Sequence, residues 1–358
     1  MDPVIVIMAG GVGTRFWPLS TDETPKQFLR LFGDRSMMQE CYERIRGVVE
    51  PDRVLVLTSC DYVTMVREQL PAVPAENIIG EPMRRDTAAA VALSALICRK
   101  RFGNPVIVTL TADHFIEPVE LFLKTLQSAV HAASDNDVLY TFGIRPAFPA
   151  TGYGYLERGS HIMTDNGIEH YGLLTFKEKP DIDTARMYIE SGRYYWNSGM
   201  FVWRTDAIIR QLEQFLPGHI TSIDPAIGRD DASVDSRALA EAFKRLPPIS
   251  IDFGVMERAT NVCCVESTFA WNDLGGWLSL REFLPADGSG NFHRGDIIIS
   301  DAQNNLVFCE NSGETVMMIG VHDFVIVRAG SNTLIVHKDR AEEVKELVKK
   351  HIGADRNV

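Results

Sequence analysis

The sequence lacks the marks of a secreted or membrane-spanning chain. It has no Asn-x-Ser/Thr sequon, and its six cysteines (Cys41, Cys60, Cys98, Cys263, Cys264 and Cys309) form no Cys-x-x-Cys pair. The vicinal Cys263-Cys264 cannot bridge easily, and several cysteines sit in apolar runs where a free thiol packs as a small hydrophobe. Met1-Asp2-Pro3 followed by Val4–Ala9 carries neither the basic start nor the long apolar core of a signal peptide. The longest apolar stretch, Ala88–Cys98, is interrupted by Ser94 and is well short of a bilayer span. The expected compartment is the cytoplasm. Positive charge is also scarce, with 36 Lys and Arg against 48 Asp and Glu, a net charge of −12. Such a surface repels nucleic acid and anionic membranes, so neither is expected as a partner, and an anionic metabolite needs a local cationic pocket. With 27 Gly and 17 Pro scattered over 358 residues, a collagenous or disordered chain is excluded. The length suits about two domains at roughly 150 residues each.

What is present alternates. Val4–Met8, Val54–Leu57, Val106–Leu110 and Val138–Phe142 are short β-branched runs separated by helical patterns. Continuous apolar strands of this kind belong to a parallel sheet covered on both faces. Ser36 precedes Gln39 at capping-box spacing, and Asp86 is placed to cap a small-residue helix over Thr87–Lys100. The expected class is α/β, a doubly wound, Rossmann-like, mostly parallel sheet. From Thr151 to about Leu284 the pattern is mixed, with strand-like Tyr153–Tyr155 and Phe201–Trp203 among helices. Ala286–Gly290 is turn chemistry and sets a boundary, giving a larger domain over 1–287 and a second unit over 288–358. In that unit, Ile297–Ile299, Leu306–Phe308, Val316–Met318, Phe324–Ile326 and Leu334–Val336 recur about every nine residues, the rhythm of a small β-solenoid or meander. A charged amphipathic helix, Arg340–His351, closes the chain.

The most informative stretch follows the first strand: Ala9-Gly10-Gly11-Val12-Gly13-Thr14-Arg15, then Pro18-Leu19-Ser20 and Pro25-Lys26. Glycines after a strand let backbone N–H groups approach a phosphate chain. Arg15 and Lys26 add cations suited to a triphosphate and to the charge growing on its leaving group. A Walker loop needs Gly-Lys-Ser/Thr after its second glycine, which is absent. A dinucleotide fingerprint needs glycine three places after Gly13, where Phe16 stands. Asp113 lies just past the C-terminal end of an apolar strand, where α/β sheets place ligands and where a carboxylate can hold Mg²⁺ against phosphates. His114 has no paired-ligand context and is read as structural.

Gly10–Ser20 followed by Pro25-Lys26-Gln27-Phe28 resembles the signature of the sugar-1-phosphate nucleotidyltransferases, and the Phe16–Leu19 and Pro25–Gln27 details resemble their mannose-1-phosphate guanylyltransferase branch. The resemblance recurs in order at Glu81-Pro82 with Arg85–Ala88, at Ala112–His114, at Thr151–Tyr155, at Phe176–Pro180, at Trp196–Phe201 and at Trp271–Gly275. It departs at Ala89, Thr111 and Gly276, where the family usually has proline, proline and serine.

The resemblance implies a set of roles. Arg15 and Lys26 would stabilise pyrophosphate. Asp113 and Asp273 would hold the catalytic Mg²⁺, and Lys179 would neutralise the sugar phosphate. Ala9, Gly10, Gly11, Gly13, Thr14, Arg15, Lys26 and Asp113 would bind nucleotide phosphates. Glu81, Arg85 and Thr87, with Arg84 beside them, would read the purine edge. Gly152, Tyr153, Gly154, Glu178, Lys179 and Asn197 would form the sugar-phosphate subsite, whose polar groups can reject analogues strongly. The expected reaction is Mg²⁺-dependent transfer of GMP from GTP to mannose 1-phosphate. Its rivals are uridylyl or thymidylyl transfer to glucose 1-phosphate, or a silent sugar-nucleotide sensor, against which the full set of charged residues speaks. The C-terminal β unit carries no site motif and is expected to cover apolar surface on the catalytic domain or to form a homodimer contact. No isomerase activity is expected, because the chain ends at Val358.

Overall fold

The structure is a computed structural model that describes residues 2–11, 13–229, 232–311 and 313–351. The strands, in chain order, are β1 (Val4–Ala9), β2 (Val54–Ser59), β3 (Ile78–Glu81), β4 (Val106–Thr111), β5 (Phe115–Glu117), β6 (Leu139–Ile144), β7 (Tyr155–Asp165), β8 (Ile168–Lys177), β9 (Tyr194–Arg204) and β10 (Val262–Ser267). They continue with β11 (Ala270–Asn272), β12 (Phe292–Arg294), β13 (Asp296–Ser300), β14 (Leu306–Cys309), β15 (Thr315–Ile319), β16 (Phe324–Ala329) and β17 (Asn332–His337). The chain divides into two compact units, each made of separated segments. One holds residues 1–10, 41–112 and 116–271; the other holds 11–40, 113–115 and 272–358.

The first unit is built on a large mixed sheet of order β3-β2-β1-β4-β9-β6-β10-β8-β7. Strands β3, β2, β1 and β4 run parallel, as do β6 and β10, while β9 runs antiparallel to both β4 and β6. Val4, Ile5, Val6 and Ile7 are fully buried, the signature of a strand covered on both faces. The Ala88–Cys98 run lies in the helix Asp86–Phe102 and is buried all round. That explains an apolar stretch with no polar face: it is a core helix, not an amphipathic one. The helix starts at Asp86, whose carboxylate accepts the Thr87 N–H at 2.7 Å. Among the described residues, no helix is long and apolar enough to cross a membrane.

Some elements differ from the sequence pattern. The strand expected over Tyr153–Tyr155 begins only at Tyr155. Strands β7 and β8 form a long hairpin turning at Asn166 (φ 51°) and Gly167 (φ 79°). An Asn-Gly pair is the strongest short signal for such a turn, but the many charged and polar residues of these strands hide the alternation around it.

In the second unit, β12, β14 and β16 stack in parallel, β13 pairs β15 in parallel, and β17 folds back antiparallel on β16. The pairings of Asp296 with Thr315 and of Leu306 with Val325 share a 19-residue offset, so the unit is a short β-solenoid closed by a hairpin. Two fully buried asparagines hold its turns in step. Asn291 Oδ1 accepts from the Asn305 side chain at 2.9 Å, and Asn305 Oδ1 accepts the Phe324 N–H at 2.9 Å. Their amide groups donate to the carbonyls of Ala302 and Val321, so both are satisfied. The final helical pattern is broken: Lys338–Glu343 is a 3₁₀ segment, and the α-helix runs over Val344–His351.

Candidate active site

The later part of the glycine loop, Gly13–Phe16, lies in the second unit, where Phe16 packs on the solenoid's apolar wall. Phe16 packs edge-on to Trp277 with ring centroids 5.1 Å apart, and Trp277 in turn meets Phe308 of β14 at 5.3 Å. The Trp277 indole N–H donates to the Trp17 carbonyl at 3.0 Å. Gly13 has φ 68°, and a Cβ added there would stand 2.3 Å from Lys26 Cβ. Only glycine fits that turn.

This contact sets Lys26 in place. Pro25 opens a 3₁₀ turn over Lys26–Phe28, and the Lys26 side chain is 8% exposed. Its ammonium donates to Asp113 Oδ2 at 2.8 Å and to the Asp273 carbonyl at 2.5 Å. One cation thus joins the two motif aspartates, 87 and 247 residues away in sequence. Burial alone would push the Asp113 carboxyl up. The Lys26 and His114 charges, with hydrogen bonds from Lys26 and from its own backbone, outweigh that and hold it below the usual carboxylate range. The Asp273 carboxylate lies against bare Gly275, where an added Cβ would sit 3.3 Å from Oδ1. Leu274 between them takes a left-handed φ of 48°.

Gly13, Thr14, Arg15, Lys26, Asp113 and Asp273 line one cavity of about 340 Å³. Two carboxylates converging there are the hard oxygen donors that Mg²⁺ takes when it binds through one or two side chains and substrate phosphates. The donor set fits that ion, and among the described residues no cluster of three or more ligand-type side chains forms a self-contained metal cage. Buried His114 also lines this cavity. A larger cavity of about 930 Å³ in the first unit is lined by none of the candidate residues.

The remaining candidates lie in the first unit. Glu81 ends β3, and burial pushes its carboxyl up to about 7. An added Cβ on Gly10 would stand 3.5 Å from Glu81 Oε2, so the strand end and this carboxyl are neighbours. Arg85 and Thr87 are occupied otherwise. Arg85 donates to the carbonyls of Phe243 (2.6 Å) and Lys244 (3.3 Å), and Thr87 Oγ1 accepts the Ile251 N–H at 2.8 Å. Both stitch the start of the helix Asp86–Phe102 to a later segment.

Glu178, Lys179, Gly154 and Asn197 do come together. A Cβ on Gly154 would stand 2.5 Å from Glu178 Oε2 and 3.3 Å from Asn197 Cβ, so glycine is required for the carboxylate to lie there. Lys179 has φ 44°, and its ammonium pairs with Glu178 Oε1 at 3.0 Å. Tyr153 stands edge-on to Trp196 at 5.0 Å and to Trp271 at 5.2 Å, giving this cluster an aromatic wall. A Cβ on Gly152 would meet nothing within 4 Å.

Sequence reasoning missed Asp252. Asn197 Oδ1 accepts from the Thr141 hydroxyl (2.9 Å) and the Gly199 N–H (3.2 Å), which fixes the amide so that Nδ2 donates to Asp252 Oδ1 at 2.9 Å. Burial, then the Glu178 charge, push the Asp252 carboxyl up to about 7. It opens a π-helical turn over Asp252–Met256, a feature frequent at functional sites.

Comparison with known proteins places the chain in a family. Residues 4–289 match the family model "Nucleotidyl transferase", and residues 295–351 match "MannoseP isomerase/GMP-like beta-helix domain". A Salmonella muenchen protein named mannose-1-phosphate guanylyltransferase is 38% identical over 96% of this chain and 72% of its own length. A Xanthomonas campestris xanthan biosynthesis protein is 37% identical over 99% of this chain and 74% of its own. A Thermus thermophilus crystal structure described as a mannose-1-phosphate geranyltransferase superposes with a TM-score of 0.86 at 32% identity, covering 98% of this chain and 99% of that one. With its mixed, mainly parallel sheet, its glycine loop and its β-solenoid, the chain belongs to the nucleotidyl transferase family.

Proposed function

We propose that the protein transfers GMP from GTP to mannose 1-phosphate, releasing pyrophosphate and forming GDP-mannose. The observation that carries this reading is the cavity in which Lys26 bridges Asp113 and the Asp273 carbonyl beside the glycine loop. The names of curated relatives supply the substrates.

The chemistry asks little of a protein in covalent terms. A sugar-phosphate oxygen is already an anion, so its attack on the α-phosphorus needs neither a general base nor an activated side chain. The new P–O bond forms as the α–β bridging P–O bond breaks, and pyrophosphate leaves with its electron pair. Catalysis then rests on positioning and charge neutralisation. Gly13 lets the loop backbone approach the phosphates. Lys26 and Arg15 hold the charge growing on pyrophosphate, and Lys179 orients the sugar phosphate. Asp113 and Asp273 would hold Mg²⁺, which when bound neutralises charge on the α-phosphate. Glu178 and Asn197 present polar groups to sugar hydroxyls, and Glu81, the motif carboxyl not tied up structurally, suits the N1 and N2 donors of guanine.

The test is a pyrophosphate-release assay crossing four nucleoside triphosphates with the 1-phosphates of mannose, glucose and N-acetylglucosamine. GTP with mannose 1-phosphate should give the highest kcat/KM. Equal or faster turnover of UTP or dTTP with glucose 1-phosphate would replace this reading.

A further inference from the structure

The phosphate cavity has one more wall than the motifs account for. Lys345 lines it, from the first turn of the terminal helix Val344–His351. One turn earlier in the chain, Glu342 Oε2 pairs with Arg15 Nε at 3.0 Å. Gly276 packs beside both, since a Cβ there would stand 3.5 Å from Glu342 Oε1 and 3.8 Å from Arg15 Cβ. Three segments far apart in sequence therefore meet at the cavity mouth, all within the second unit. The sequence pattern alone gives the terminal segment no chemistry.

The charges there have a direction. The cavity holds two carboxylates and three cations, Arg15, Lys26 and Lys345. Lys26 is buried and committed to the aspartates, whereas Lys345 is exposed. The Arg15–Glu342 pair is also open to solvent, with side chains 45% and 75% exposed. An ion pair that exposed is held weakly, so an incoming polyanion can displace it at little cost.

We propose that the C-terminal segment completes the polyphosphate end of the site: Lys345 supplies a third cation to the β- and γ-phosphates, and Glu342 parks Arg15 until the anion takes its place. The identity of the ligand as a nucleoside triphosphate rests on the function proposed above. The electrostatic prediction does not, because it applies to any linear polyphosphate. It also has opposite signs at the two residues. Lys345→Ala removes a cation and weakens binding, whereas Glu342→Gln removes a competing anion and strengthens it.

Isothermal titration of the full-length protein with inorganic tripolyphosphate tests this directly. Lys345→Ala should weaken binding roughly 10-fold, the low end for losing a charged hydrogen bond, and Lys345→Arg should restore it. Glu342→Gln should tighten binding about 2- to 3-fold, in keeping with release of an exposed ion pair. Lys350→Ala, on the same helix but absent from the cavity lining, should bind as wild type does. In turnover, Lys345→Ala should raise the KM for GTP and leave that for mannose 1-phosphate unchanged. Wild-type affinity in Lys345→Ala, or weakening in both Lys345→Ala and Glu342→Gln, overturns the proposal, the second outcome marking a merely structural role. If wild type binds tripolyphosphate but does not turn over GTP with mannose 1-phosphate, the proposed function fails and this inference stands.

Discussion

Replacing Lys26 by methionine keeps most of the side chain's apolar stem and removes its charge. Two charge-assisted hydrogen bonds are lost, to Asp113 Oδ2 and to the Asp273 carbonyl. A charged hydrogen bond contributes about 1.5–3 kcal/mol, and breaking a fully buried pair costs about 3–5 kcal/mol. Lys26 is nearly buried, but the Asp113 side chain is 35% exposed and regains hydration once its partner is gone. The expected destabilisation is therefore about 2–3 kcal/mol, below the fully buried figure. Urea unfolding followed by tryptophan fluorescence reads it, because Trp17 and Trp277 both pack in the unit that holds the pair. Combining Lys26→Met with Asp113→Asn should show coupling of about 1–2 kcal/mol, since the first change has already broken the bond that the second removes. If the two effects add to within about 0.5 kcal/mol, the ion pair contributes nothing and Lys26 is held by packing alone.

Gly13→Ala should be far more damaging than Gly10→Ala. The first forces a side chain into a left-handed turn and onto Lys26 Cβ, at a cost above about 3 kcal/mol, whereas the second meets Glu81 at ordinary van der Waals distance; thermal unfolding ranks them. Asp252 gives a pH signature. Its folded value near 7 lies above the ordinary 3.8, so its contribution is present below pH 4 and is lost as pH rises to about 7. Asp252→Asn should flatten the stability profile across that window, and an unchanged slope would show that the carboxyl ionises normally. Asp113→Asn and Asp273→Asn should each lower kcat about 10²–10³-fold and raise the Mg²⁺ concentration for half-maximal rate, the double variant being little worse than the worse single. Normal rate and Mg²⁺ dependence in Asp273→Asn would remove it from the proposed metal site.

What the sequence disclosed followed from how local each signal is. Strands β1, β2 and β4 are buried on both faces, so each writes itself as a run of apolar and β-branched residues, and the capping box appears as Ser36 N–H to Gln39 and Gln39 N–H to Ser36 Oγ, at 3.0 and 3.1 Å. Strand β9 was visible only at Phe201–Trp203, because its earlier half carries Asn197 of the candidate sugar subsite, Ser198 and Gly199 among its buried residues. Gly13 and Lys26 could be read because their contact spans only 13 positions of one motif. Arg85 and Thr87 stood in an equally distinctive motif, yet the structure spends their polar atoms on Phe243, Lys244 and Ile251. A motif marks where a position is constrained without saying whether fold or ligand constrains it.

Asp252 and Lys345 show the opposite failure. Asp252 meets Asn197 across 55 residues, and nothing in Ser250-Ile251-Asp252 announces a partner that only the sheet order brings near. Lys345 sits in a helix whose charges read as a solvated face, and its lysine is indeed exposed. What distinguishes it is the cavity on its far side, formed by residues from the first thirty and from 113–115 folding into the same unit as the solenoid. That discontinuity has a physical cause. A short solenoid exposes one apolar wall, here Leu306, Phe308, Val325 and Val327, and burying it requires Phe16, Leu29, Leu31 and Trp277. The residues that cover the solenoid are those that flank the glycine loop. Packing of the C-terminal strands and geometry of the loop are therefore one problem, and a substitution such as Phe308→Ala should disturb Lys26 and Arg15 without touching either.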